Sequence, residues 1–102
     1  VGITACEQMT IGSTFLSSLN AGDDSIGSVQ YTNIATVVDE LVQPYTSSFM
    51  AAGDGNITNR TLQSECWARF PGHLGLIVDG AVYSGVQDAL AKRPIDFNCF
   101  AL

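Results

Sequence analysis

Positively charged residues are scarce in this sequence, where four Lys and Arg stand against ten Asp and Glu for a formal charge of −6. Nucleic-acid binding needs clustered Lys and Arg to neutralise phosphate, so this balance argues against a nucleic-acid partner. The single histidine and the lack of a C-x-x-C pair argue against a zinc site. We therefore expect no metal and no cofactor.

Long apolar runs are also missing. No run approaches the roughly 20 residues that cross a bilayer. No charged leader with an apolar core opens the chain, so export would depend on residues outside this sequence. We expect no transmembrane segment.

Apolar residues are nevertheless abundant, making up 46% of 102 residues. A chain of this length is one domain or less, and this content is high for so small a soluble unit. The excess predicts that part of the apolar surface packs against another layer of protein.

The stretch YTNIATVVDELVQP, residues 31–44, is the strongest local signal. Its mostly β-branched run predicts a parallel strand over 29–38 that is buried on both faces. Asp39 would then lie just past the carboxyl end of the strand, where open α/β sheets place functional side chains. The alternative is that Asp39 only ends the strand as a turn residue.

The only histidine, His73, follows a second predicted strand at 59–63 and precedes a helix predicted over 80–91 with Asp79 as its N-cap. The order strand, acid, strand, histidine, helix matches the second half of an α/β-hydrolase triad, whose chain order is nucleophile, acid, histidine. A purely structural role is the alternative for a lone histidine.

Four motifs carry a family resemblance: GSTFLSSLNAGDD at 12–24, the stretch at 31–44, NITNRTLQSEC at 56–66 and HLGLIVDGAVYSGVQDAL at 73–90. In these motifs the sequence resembles the class 2 family of secreted triacylglycerol lipases, α/β-hydrolases found in actinobacteria, and is similar also to Candida antarctica lipase B. The motifs span most of the chain in the order of the family.

The resemblance implies an α/β fold, with residues 1–102 forming the C-terminal part of an α/β-hydrolase lipase domain built from parallel strands with flanking helices. It implies a secreted enzyme that acts on lipid esters, by resemblance triacylglycerols, at a lipid–water interface. By the same resemblance Asp39 is the triad acid and His73 the triad base.

The residues after Asp39 receive lesser roles. Glu40 has a longer and more mobile arm, so we expect it to support the site or to face solvent. Leu41 and Val42 border the acyl-binding pocket in the resembling enzymes and are predicted substrate contacts, with core packing the alternative for Val42.

No G-x-S-x-G nucleophile elbow occurs in the sequence. Family members carry that elbow upstream of the matching region, so we expect the N-terminal part of the same enzyme to supply the serine. Alone, the 102 residues should not form an acyl-enzyme. Two alternatives are a stable fragment that self-associates through an exposed sheet edge and a binding protein that uses the scaffold without chemistry.

The three cysteines are Cys6, Cys66 and Cys99, and their odd number leaves at least one without a partner in this chain. Spacing does not fix connectivity, and three reduced thiols are the alternative. The resemblance implies a Cys66–Cys99 bridge, whose closed loop would contribute about 3 to 4 kcal/mol through chain entropy. Cys6 would be free or would pair with a cysteine elsewhere.

Overall fold

The structure is a computed structural model that describes residues 3–22, 24–51 and 55–102. Besides the helices and strands named next, the described residues form three short turns of 3-10 helix, at Tyr45–Ser48, Leu62–Ser64 and Gly75–Ile77. The main elements in chain order are helix α1 (Thr4–Gln8), helix α2 (Thr14–Leu19), strand β1 (Gln30–Ala35), strand β2 (Asn56–Thr61) and helix α3 (Gly80–Leu90).

The two strands pair in parallel, from Gln30 opposite Asn56 to Ala35 opposite Thr61. The chain is thus a small mixed unit, a two-stranded parallel sheet with helices, and is compatible with the predicted α/β class. β2 runs from Asn56 to Thr61, so it begins three residues earlier and ends two residues earlier than the strand predicted over 59–63.

The prediction for the first strand was too long at its carboxyl end, because β1 stops at Ala35. Val37 donates its backbone N–H to the side chain of Gln63 at 3.0 Å and so leaves the ladder. Val37 and Val38 are exposed, and Ala35 is the one buried residue of β1, so the prediction of a strand buried on both faces is wrong. The β-branched run signalled strand character but not where the pairing partner ends.

The core is formed by α3, the segment that follows β2 and the segment that follows α3. Its six buried members share one continuous cluster: Leu62, Cys66, Ala81, Val82, Ile95 and Phe97. Gly85 brings the helix close to the segment after it, since a Cβ at this glycine would lie 2.4 Å from Cε1 of Phe97. A glycine in the middle of a helix weakens it relative to alanine, and here the close packing explains the choice.

Helix α3 begins as predicted, with the Asp79 carboxylate accepting the backbone N–H of Val82 at 3.0 Å. Its end follows the Schellman pattern: Arg93 donates its N–H to the carbonyl of Asp88, and Lys92 donates to that of Ala89. Lys92 occupies the left-handed position with a φ of 57°. Backbone hydrogen bonds therefore end the helix, and Lys92 occupies the position that usually holds glycine.

The region before the sheet has little burial. The sequence predicts a helix over 13–20 with Ser13 as its cap. In the structure Ser13 caps α2 by accepting the N–H of Leu16 at 3.1 Å. The weak pattern of residues 1–9 predicts an irregular segment, and this is wrong for Thr4–Gln8, which forms α1. Residues 1 and 2 lie outside the described residues. Neither α1 nor α2 contains a buried residue.

The molecule is flat, with extents of 43 × 33 × 17 Å. Its radius of gyration is 15.3 Å, whereas a compact domain of this length would have about 13 Å. Among the described helices none has the length and apolar character needed to cross a membrane. This thin body exposes many apolar side chains, and their packing against another layer of protein stays a prediction.

Candidate functional site

Asp39 lies in a turn just beyond β1. Its backbone N–H donates to the carbonyl of Thr36, and its Oδ1 accepts the backbone N–H groups of Leu41 at 2.9 Å and Val42 at 2.8 Å. Such a turn is typical of aspartate, whose short side chain can bind the backbone two or three residues ahead. The carboxylate is fixed and largely buried, with its side chain 8% exposed.

His73 follows Pro71 and Gly72 in the loop between β2 and α3. Its Nδ1 lies 3.1 Å from both carboxylate oxygens of Asp39. The two residues predicted to form an acid–base pair therefore meet in space, 34 positions apart in the chain. The imidazole is 36% exposed, so one end of the ring is held while part of it faces outward.

The pKa of Asp39 lies below its usual value of 3.8. The first cause is the hydrogen bond from the backbone of Val42, with smaller contributions from His73 and Leu41, while burial acts in the opposite direction. Since these donors favour the ionised form, Asp39 remains a carboxylate at a lower pH than an ordinary aspartate does. A carboxylate at Nδ1 favours the tautomer with its proton there, which leaves Nε2 as the basic nitrogen.

Glu40 contacts the same loop by another route. Its Oε2 accepts the backbone N–H of His73 at 2.9 Å. Glu40 is predicted to support the site or to face solvent, and its exposed side chain contacts the histidine loop. Asp39 and Glu40 thus bind the same residue at two different points, the ring and the main chain.

Gln63 and Thr36 support the segments that carry Asp39 and His73, and the sequence did not indicate either residue. Gln63 donates through Nε2 to Thr36 Oγ1 at 2.9 Å and to the carbonyl of Arg69 at 2.8 Å. Thr36 is completely buried. Together they connect the turn before Asp39 with the loop before His73. Nothing in the local sequence signals this role, because Thr36 and Gln63 are 27 positions apart in the chain.

Arg69 closes the loop that carries His73. Its guanidinium contacts the Asp79 carboxylate through Nε and Nη2, the shortest distance being 2.9 Å from Nη2 to Oδ2. Nη1 donates to the carbonyl of Cys99 at 2.8 Å. One side chain therefore joins the histidine loop, the start of α3 and the C-terminal segment.

The disulfide prediction is confirmed: Cys66 and Cys99 are bonded, with their Cα atoms 5.2 Å apart. Cys6 is a free thiol and is exposed. The bridge joins the segment after β2 to the segment after α3, and so encloses the loop of His73 and the final helix.

Leu41 and Val42, the predicted substrate contacts, stand directly beside Asp39. Leu41 is 69% exposed, and Val42 is half-buried. Their backbone groups have a role that the sequence did not indicate, because both N–H groups bind the Asp39 carboxylate. Whether their side chains contact a substrate stays a prediction.

The arrangement can bind and release a proton at an imidazole that a carboxylate orients. Nucleophilic triads use the same arrangement of a carboxylate at Nδ1 of an imidazole, in which the carboxylate stabilises the imidazolium that forms. The described residues contain no group of three or more His, Cys, Asp or Glu side chains placed to hold a metal ion. No known protein-family model matches the sequence, and no curated protein is significantly similar to it.

Proposed function

We propose that this chain supplies the acid and the base of a secreted serine lipase of the α/β-hydrolase type. The observation that carries the proposal is the contact between Asp39 and Nδ1 of His73 beyond the end of a parallel strand. It is supported by the order of acid, strand, histidine and helix along the chain, which is that of the hydrolase triad.

In this mechanism Nε2 of His73 removes the proton of a serine hydroxyl as the serine attacks the ester carbonyl. The same proton then passes to the leaving alcohol, and water repeats the cycle on the acyl-enzyme. Asp39 keeps the ring in the tautomer that leaves Nε2 free to accept. The serine and the backbone amides that stabilise the oxyanion would come from the N-terminal part of the same enzyme.

The proposed partner of this chain is that N-terminal part, which would cover the apolar surface left open here. The exposed apolar side chains in the two loops around the site are suited to a lipid ester and to a lipid–water interface: Val37, Val38, Leu41, Phe70, Leu74, Ile77 and Val78. The Cys66–Cys99 bridge agrees with secretion, because disulfides persist in oxidising compartments.

The test compares hydrolysis of a short-chain ester, p-nitrophenyl butyrate, by the 102 residues alone and by the chain joined to its preceding sequence. We expect no turnover from the former and turnover from the latter. In the longer protein, His73→Ala should abolish turnover and Asp39→Asn should lower kcat by about 10⁴-fold.

Asp96→Ala is the matched control, because it removes an exposed carboxylate on a residue whose backbone binds Asp88 of α3, and it should leave the rate unchanged. Circular dichroism of each variant verifies that the fold persists. Hydrolysis near the wild-type rate by the His73→Ala variant would contradict the proposal.

A second candidate is a fragment that self-associates or binds other proteins without chemistry. The extent of exposed apolar surface favours it, including Phe15 and Leu19 on α2. Size-exclusion chromatography across a range of concentrations distinguishes the two: a monomer at every concentration argues against association through the sheet edge.

A further inference from the structure

Glu40 forms a contact that the triad mechanism does not use. Its carboxylate reaches across from the turn after β1 and accepts the main-chain N–H of His73 at 2.9 Å. A hydrogen bond to a charged acceptor is stronger than one between neutral groups. Glu40 therefore restrains the backbone from which the catalytic imidazole would project.

Gly72 makes this contact possible. A Cβ at Gly72 would lie 2.5 Å from Oε2 and 3.0 Å from Oε1 of Glu40. Real Cβ atoms do not approach oxygen this closely, so any side chain at position 72 would displace the carboxylate from the N–H that it accepts. The glycine is explained by the close approach of Glu40.

We propose that Glu40 is a positioning residue that fixes the main chain of His73 while its neighbour Asp39 fixes the ring. This inference rests on the proposed function, since positioning matters for catalysis only if His73 is the base. Two adjacent carboxylates on one turn thus hold one histidine at two points, which limits both where its loop lies and how its ring is oriented.

The direct test uses NMR on the 102-residue chain and needs no activity. We expect Glu40→Ala to raise the hydrogen-exchange rate of the His73 amide about tenfold and to shift or broaden the Nδ1 proton resonance, because both report how the loop is held. Glu40→Gln keeps an acceptor oxygen and should restore most of the protection. Asp96→Ala, which also removes one negative charge, should change neither signal.

Gly72→Ala provides an independent route to the same contact. Alone it should raise exchange at His73 about as much as Glu40→Ala does. In the Glu40→Ala background it should add little, because the carboxylate that it would displace is gone. Additive effects of the two substitutions, or an unchanged His73 amide in Glu40→Ala, would overturn the inference.

Activity separates this inference from the proposed function. In the longer protein with p-nitrophenyl butyrate, Glu40→Ala should lower kcat about tenfold with KM unchanged, and Glu40→Gln should recover most of it. If no variant or parent hydrolyses the ester, the proposed function fails, and the NMR result still decides whether Glu40 holds the loop. If the parent is active and the His73 amide is unaffected by Glu40→Ala, only the positioning role fails.

Discussion

Helices α2 and α3 begin with the same kind of cap but differ in what their apolar faces contact. Ser13 caps α2 and Asp79 caps α3, each by accepting a backbone N–H three residues ahead. Helix α3 buries Ala81 and Val82, whereas α2 buries nothing. The comparison teaches that capping determines where a helix begins, while tertiary packing determines how much it stabilises the molecule.

Removing the disulfide should have the largest effect on stability. The effect concerns the region around α3, which contains the bridge. The double substitution Cys66→Ser and Cys99→Ser should lower the free energy of unfolding by about 3 to 4 kcal/mol, because the open chain gains conformational freedom when unfolded. Urea titration followed by circular dichroism measures the loss. Cys6→Ser is the control and should change the free energy by less than about 0.5 kcal/mol; an equal loss there would break the comparison.

The same substitution at one leucine from each region gives the next largest difference. Leu62 is 0% exposed and Leu19 is 65% exposed. Leu62→Ala should cost about 3 kcal/mol because it leaves a cavity in the core. Leu19→Ala should cost less than about 0.5 kcal/mol. Chemical unfolding of both variants checks this, and a large loss at Leu19 would mean that α2 packs more tightly than its exposure indicates.

The two caps should differ in how far their removal is felt. Asp79→Ala should cost about 2 kcal/mol, because the helix loses its cap and Arg69 loses the carboxylate that it contacts. Ser13→Ala should reduce the local helicity of α2, a cap being worth about 1 kcal/mol, with less effect on global unfolding. Site-resolved hydrogen exchange separates local from global loss. Similar global losses for both variants would contradict the difference between the regions.

The smallest effects concern the turns after the helices. Lys92 has a positive φ of 57° after α3, and Gly22 has one of 85° after α2. Lys92→Gly should raise stability by about 0.5 to 1 kcal/mol by relieving a left-handed conformation. Gly22→Ala has open space around it, so only the backbone conformation opposes it, at about 1 kcal/mol. Thermal unfolding of both variants measures these opposite signs.

Local signals in the sequence predicted the starts of α2 and α3 better than the ends of the strands, although they did not indicate α1. The caps at Ser13 and Asp79 each involve residues within one turn, and both helices begin where these residues indicate. The end of β1 depends on Gln63, whose side chain takes the N–H of Val37 away from the ladder. A competitor 26 positions away cannot be identified from the pattern of the strand itself.

The candidate site shows the same division. Asp39 and His73 were singled out by residue type and order, and the structure places them in contact. Gln63 and Arg69, which connect the surrounding loops, were not singled out because glutamine and arginine are common on surfaces and carry no local signature of a structural role. Their importance follows from groups that only the folded chain brings together.

The ion pair between Arg69 and Asp79 has a consequence for how this surface could change. It ties together two residues ten positions apart, and His73 lies between them. Residues 69–79 therefore form a loop that the ion pair closes at its ends and that His73 anchors between them. Exposed apolar residues of this loop, such as Leu74 and Ile77, could be replaced by other residues without breaking the ion pair. Such substitutions could change which molecules bind at this surface, while the position of the His73 imidazole stays the same.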